Sequence, residues 1–494
     1  MTTYAAETAT PPDPRRWLSL AILLIANFMN LIDVTIVNVA LPSMRDNLGA
    51  SDSQIEWVVA AYVLAFALGL LPFGRLGDIL GRTRMFLWGV GAFTIASALC
   101  GLAGNIEMLI AARVLQGLGG AMMTPQVLAI ATVTFPPHER GQAFSLFGLS
   151  TGLASVCGPI LGGVLIDAHL FGLDWQPIFL VNVPIGIAAI LAGWFLIPRL
   201  PGHAELKNDY VGIALFGIGI VALVFPIIEG RAYGWPLWAF VMIGFGLAML
   251  VLFFFWQRRR AAAGESQLLN HDLLRSKDFM FGAFVVTVFA SGIPGMFLVI
   301  SLLLQSGFGF SPLESGLTNT PFSVGVLIAS AIAGRFGAHY LRTRLAAAGA
   351  LLTLGIGWLH FIIAGLGNTI DHWWFLPPLL IAGIGLGLGF SALFQLVLRS
   401  VPPRDAGAGS GALQAFQQVG GALGIALVGQ IFFTHLAGSF AQGAGPQTAF
   451  ADAAALALWY QVASFGLVML LAFLFKGPGS QAQGRPAAPI VVEA

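Results

Sequence analysis

The sequence predicts an all-α integral membrane protein with fourteen transmembrane helices, arranged as two six-helix halves plus two inserted helices. Three observations predict it. Hydrophobic residues make up 57% of the 494-residue chain and charged residues only 9%, whereas soluble domains carry about 25% charged residues. Apolar runs close to the ~20 residues needed to cross a hydrocarbon core recur along nearly the whole length. The basic residues, finally, are split very unevenly between alternate loops.

Taken in order, the runs fall at residues 17–41, 55–74, 84–104, 107–135, 142–166, 177–197, 210–229, 237–257, 279–304, 314–338, 345–366, 375–398, 406–434 and 456–475. An even number puts both termini on one side. With that side cytoplasmic, the inner segments carry all but three of the 23 Lys and Arg residues: Arg45 and Arg231 lie outside, and Arg113 lies within a run. Losing or adding one helix would invert every later loop and destroy this asymmetry. The same reading predicts a cytoplasmic N-terminal tail (1–16), a first half (17–200), two inserted helices (201–260), a cytoplasmic linker (261–278), a second half (279–476) and a Gly/Pro/Ala-rich disordered tail (477–494).

The two halves are suggested by internal echoes. Gly74-Arg75-Leu76, ending the second run, is repeated as Gly334-Arg335-Phe336 ending the tenth, 260 positions later. Phe135-Pro136-Pro137 before the fifth run is echoed by Val401-Pro402-Pro403 before the thirteenth, 266 positions later. Parallel halves around a midplane site are the architecture of a rocking transporter.

Other classes find little support. A net charge of +1 gives no basic field for nucleic acid. Cys100 and Cys157 sit in apolar runs and read as small buried residues, with no metal-ligand spacing. No nucleophile–base constellation or phosphate-cradling loop occurs, so neither enzyme activity, a cofactor nor a metal is expected. The polar first seventeen residues do not read as a cleavable signal peptide.

Ionisable groups inside spans are functional candidates, because lipid makes them costly. Asp33 is the clearest. Asn27, Asn30, Asp33 and Asn38 fall within an arc of about 140° on the first helix, a polar face expected to look into a cavity. A carboxylate withdrawn from water is costly to keep charged, so Asp33 reads as a proton carrier, or alternatively as a packing residue that never titrates. Arg113, always charged, needs a carboxylate or several carbonyls. It is either a charge coupled to that acid or a fixed tie between helices.

The second half offers amides and hydroxyls in place of a mid-span acid. Asn30, Asn38, Gln116, Gln305, Asn319, Gln395, Gln414, Gln417 and Gln418 are candidates for a substrate cavity, with Ser323 and Ser391 beside them. Gln414, Gln417 and Gln418 share a helix face. All of these could equally bind helices together. His360 reads as a satisfied core histidine. Glu56 and Trp57 read as lining an outer vestibule or as an interfacial pair.

Gly74-Arg75-Leu76-Gly77-Asp78-Ile79-Leu80-Gly81-Arg82 resembles the cytoplasmic signature of the major facilitator superfamily. Leu31-Ile32-Asp33 through Leu41-Pro42 resembles the first-span signature of its fourteen-spanner drug:proton antiporter branch, of the EmrB/QacA type. The Arg113 segment resembles the fourth-span signature, and Gly152 with Gly158-Pro159 and Gly162-Gly163 the fifth-span antiporter motif. The resemblance covers about residues 15–475. It implies proton coupling through Asp33 and Arg113, and a cytoplasmic gate of Gly74, Asp78, Gly81 and Arg82. In that gate Asp78 would meet the helix starting after Arg404-Asp405. Ile79 departs from the pattern, which usually has a basic residue there. The glutamines and Asn319 stand where carriers of cationic drugs often place acids, which leaves neutral, amphipathic or anionic cargo.

Implied, then, is proton-coupled export of amphipathic organic compounds by alternating access across the cytoplasmic (inner) membrane. A lipid, metabolite or siderophore exporter, or an uncoupled facilitator, fits the same fold. Some relatives in double-membrane bacteria work with a periplasmic adaptor and an outer-membrane channel, and the short outer loops leave that partnership open.

Overall fold

Lipid offers the backbone no hydrogen-bond partners, so a chain this apolar must satisfy its amides within helices. A computed structural model of the protein describes residues 14–136, 139–202, 208–230, 232–269, 271–336, 340–367, 369–399, 401 and 406–475, and its long elements are helices. The first half comprises α1 (Arg16–Leu48), α2 (Asp52–Leu80), α3 (Arg82–Gly101), α4 (Ile106–Thr134), α5 (Arg140–Asp167) and a sixth, broken segment, α6 (Pro177–Leu180) and α7 (Asn182–Leu196). Next come α8 (Tyr210–Glu229) and α9 (Leu237–Ala262), then a short α10 (His271–Arg275) in the linker. The second half comprises α11 (Lys277–Ser291), α12 (Pro294–Leu302), α13 (Pro312–Phe336), α14 (Leu341–Ala364), α15 (Leu376–Leu398), α16 (Ala406–Ala441) and α17 (Pro446–Ala472).

Among the described residues, twelve helices are long and apolar enough to cross a membrane, fewer than the fourteen expected. The helices at the fifth and tenth expected positions, α5 and α13, are 28 and 25 residues long but are not among the twelve. Boundaries differ where turns are not spelled out by composition. The first helix continues past Pro42 to Leu48, and the last starts at Pro446, ten residues earlier than its apolar run. The ninth run is interrupted before Pro294 and ends in a π-helical turn, Leu303–Gly307. The N- and C-terminal tails lie outside the described residues apart from residues 14–16.

The repeat is visible at helix starts. Ser51 caps α2 reciprocally with Gln54, its Oγ accepting from the Gln54 amide while Gln54 Oε1 accepts from the Ser51 amide. Ser311 and Glu314 make the same pair at the start of α13, 260 positions later. Such boxes fix the entry of a helix by satisfying two otherwise free amides.

The halves meet along α2 with α16, α5 with α13, and α1 with α12. α8 packs on α9 and also touches both α2 and α16, so it lies over the seam between halves. α9 faces outward, with Phe240, Val241, Val251 and Phe255 exposed. Of the inserted pair, α9 is thus peripheral and α8 is not.

Candidate functional site

The polar face of α1 is turned inward on the first half. Asn27, Asn30 and Asp33 are all buried, Asp33 completely, and Arg113 of α4 is 1% exposed. Arg113 Nη1 donates to Asp33 Oδ2 at 2.6 Å and to Gln116 Oε1 at 2.7 Å. Its Nε donates to the Val58 carbonyl of α2 at 3.0 Å, and its guanidinium lies 4.2 Å from the Tyr62 ring centroid. The other carboxylate oxygen, Asp33 Oδ1, accepts from Gln116 Nε2 at 2.7 Å and Asn182 Nδ2 at 3.3 Å. Ser97 of α3 accepts from both amides, at 3.1 and 3.0 Å, and donates to the Phe179 carbonyl. Tyr62 Oη donates to Asn30 Oδ1 at 2.5 Å.

Thus α1, α2, α3, α4 and α7 all contribute to one buried charge-pair network. Both oxygens of Asp33 are hydrogen-bonded, which is what makes a buried ion pair tolerable. The face expected to look into a cavity is instead closed over by α2, α4 and α7, because Arg113 reaches across to meet it. Chemically, a proton on Asp33 would cancel the carboxylate charge and leave a guanidinium uncompensated in a dry interior. Removing one partner of such a pair costs about 3–5 kcal/mol, so the charge of Asp33 and the packing of five helices are linked.

The remaining candidates are spread across the molecule. Asn38 donates to Val34 within its own helix, and its Oδ1 is buried without a hydrogen-bond partner among the described residues. Asn319 of α13 does the same with Ser315. Gln305 bridges the halves, its Nε2 donating to the Val39 carbonyl at 2.9 Å. Gln395 of α15 and Gln414, Gln417 and Gln418 of α16 are half-buried.

In the gate motif, Arg82 pairs with Asp78 through Nε and Nη2, each at 3.0 Å, and its Nη1 donates to the Ala129 carbonyl. Gly74 approaches Pro125. Gly81 has φ +100°, and a Cβ there would stand 2.7 Å from the Leu200 carbonyl oxygen, so both conformation and space require glycine. Arg404 and Asp405, just before the helix start expected to receive Asp78, lie outside the described residues. In the antiporter motif, Gly158 and Gly162 seat Thr35 and Ile36 of α1, Gly163 abuts Leu313 of α13, and the Pro159 carbonyl lies against Gly316; Gly152 is within α5.

Sequence reasoning missed Tyr62, Ser97 and Asn182. Asn182 carried a signal, being the single amide in its apolar run. Among the described residues no group of His, Cys, Asp and Glu could hold a metal ion. His360 Nδ1 donates to the Ala455 carbonyl at 2.9 Å, and the ring packs on Trp459.

The sequence matches the Major Facilitator Superfamily over residues 23–211 and 207–425. The chain belongs to this superfamily. Among curated relatives, a probable actinorhodin transporter of Streptomyces coelicolor is 42% identical over 424 residues, covering 86% of this chain and 73% of the relative. The tetracenomycin C resistance and export protein of Streptomyces glaucescens is 30% identical (86% and 78% covered). The methylenomycin A resistance protein of Bacillus subtilis is 30% identical (92% and 93% covered). These relatives place the chain in the drug-efflux branch of the superfamily: a multi-pass membrane transporter and not an enzyme. Among solved structures, an inward-facing bacterial homologue of the lysosomal transporter Spinster superposes with a TM-score of 0.64 at 18% identity, covering 94% of this chain and 97% of that one. An auto-inhibited peptide transporter of the POT family gives a TM-score of 0.65 at 15% identity, with 97% and 99% covered. Both likenesses are of fold.

Proposed function

We propose that this superfamily member is a proton-coupled antiporter that exports amphipathic organic compounds across the cytoplasmic membrane. In this reading it has fourteen spans and both termini inside. The observation that carries it is the Asp33–Arg113 pair, buried and tied to α1, α2, α3, α4 and α7. A proton taken up by Asp33 frees Arg113 and the two amides, loosening the first half and biasing it between two packings. Because proton and cargo favour opposite states, each crossing exchanges one for the other.

The closed seam supports alternating access. Gly163 on Leu313 and Gln305 on Val39 hold the halves together at the face opposite the N-terminus, which the basic-residue split makes the outer one. The Asp78–Arg82 pair is the reading's cytoplasmic gate. The amides Asn38, Gln305, Asn319, Gln395, Gln414, Gln417 and Gln418 would orient cargo without a cationic preference. The relatives that handle tetracenomycin C and methylenomycin A make antibiotics the first cargo class to test.

A second reading, an uncoupled facilitator or an exporter of one lipid, metabolite or siderophore, is favoured by the full satisfaction of Asp33, which suits a permanent tie. The deciding experiment uses protein reconstituted in liposomes with an internal pH dye and an imposed proton gradient, challenged with tetracenomycin C and methylenomycin A. Compound-dependent proton movement lost in Asp33→Asn supports antiport. Compound flux without proton movement overturns antiport, and coupling retained in Asp33→Asn overturns the proton role of Asp33.

A further inference from the structure

Near the end of the molecule that carries the N-terminus, a cavity of about 580 Å³ opens between α3 and the segment that follows α7. Arg84 and Arg199 line it together with Trp88 and Trp194, and Ile79 and Leu87 supply apolar wall. Trp88 is 52% and Trp194 59% exposed, and the Arg199 guanidinium lies 5.5 Å from the Trp194 ring centroid. Among the described residues no acid lines it. Three other arginines on this face pair with acids: Arg16 with Glu139, Arg82 with Asp78, Arg260 with Glu265. Arg344, 260 positions after Arg84, is instead buried and donates to Ser391.

The geometry points to a binding site for an anionic phospholipid, its phosphate held between Arg84 and Arg199 and its upper chain against Trp88, Trp194 and the apolar wall. Tryptophan favours the level of the headgroups, and guanidinium matches phosphate as a planar fork of donors. Two cations with no acid paired to them among the described residues, set over an apolar groove, suit a ligand that is anionic at one end and hydrocarbon at the other. The site also adjoins the gate signature. Ile79 belongs to that signature, at the end of α2, and Thr83 Oγ1 donates to the Pro198 carbonyl at 2.6 Å beside the cavity. A bound lipid would therefore clamp the α2–α3 turn to the end of α7.

The test is native mass spectrometry on the full-length protein in detergent, titrated separately with dioleoylphosphatidylglycerol, dioleoylphosphatidylcholine and inorganic phosphate. The expected result is preferential retention of the phosphatidylglycerol, weakened about tenfold in Arg84→Gln/Arg199→Gln. The Arg84→Lys/Arg199→Lys variant should retain most of the binding, and Arg258→Gln/Arg259→Gln should not change it. Equal binding of the two lipids, or phosphatidylglycerol binding unchanged in the double Gln variant, overturns the site. Displacement of the lipid by inorganic phosphate at equal concentration also overturns it, in favour of a free-anion pocket. Should the double Gln variant not fold, loss of binding in Trp88→Ala/Trp194→Ala supports the site and unchanged binding overturns it.

Discussion

Glu56 on α2 lies against Gly429 on α16, so near that a Cβ on Gly429 would stand 2.6 Å from Glu56 Oε2. The carboxylate is buried, 1% exposed, and the contact joins the two halves close to the end where α2 begins. Further along the same seam, Gly421 faces Val63 and Gly411 faces Leu71. A row of glycines on α16 thus allows α2 to approach, and Gly429 is the one that accommodates a charge-bearing group.

Closure at this end should therefore depend on Gly429. In a cysteine-replaced background, a Val63→Cys/Gly421→Cys pair should form a disulfide readily, since a Cβ at position 421 stands 3.5 Å from a Val63 methyl. Adding Gly429→Val should lower the yield several-fold. An unchanged yield would show that the seam closes without the fit around Glu56.

The Asp33–Arg113 pair predicts a strongly non-additive mutant cycle. Arg113→Gln leaves Asp33 uncompensated in a dry interior and should destabilise the protein by about 3–5 kcal/mol. Combining it with Asp33→Asn should recover part of that loss, because no isolated charge remains. Unfolding of the purified single and double variants, followed by intrinsic fluorescence, measures the coupling. Additive effects would mean that the two side chains do not depend on each other.

Gly81 gives a sharper local test. Alanine there must adopt φ near +100° and meet the Leu200 carbonyl. Gly81→Ala should destabilise by about 1–3 kcal/mol, whereas Gly104→Ala, with open space around its Cβ position, should cost less than 1 kcal/mol or so. Thermal unfolding of the two variants side by side checks the contrast.

These sites differ in how far they could be read from sequence. Asp33 and Arg113 stand out because lipid makes any charge conspicuous, and their helices follow from apolar run length. Their hydroxyl partners do not stand out: a serine such as Ser97 is ordinary in an apolar helix, and Tyr62 is as much ring as hydroxyl. Glu56 sits one turn into its helix, where composition cannot tell an interfacial acid from a buried one. Its burial is decided by Gly429, more than 370 positions away in the chain. The interruption before Pro294 has a local signal in Gly292 and Pro294, whereas the π turn at Leu303–Gly307, packed against α17, has no local pattern that encodes it. The repeat was legible as two short echoes, but the matched Ser51 and Ser311 caps become evident only once both helix starts are fixed.

The inserted pair yields the last prediction. The inserted segment is held to α2 near both ends of α2: Trp57 Nε1 donates to Glu229 Oε1 of α8 at 2.8 Å, and Arg75 donates to Ser266, in the stretch leaving α9, at 3.2 Å. Between them, Gly217 lies beside Leu68. Asp209, buried at the start of α8, accepts from Trp256 and Gln257 of α9, so the pair moves as one body. If α8 and α9 ride with the first half, spin labels at Leu68 and Gly217 should give one narrow distance distribution in acidic and in alkaline buffer alike. Labels at Gly163 and Leu313, across the α5–α13 seam, should shift or broaden between the same conditions. A Leu68–Gly217 distance that changes along with the seam would instead assign the inserted helices to the second half, through their contact with α16.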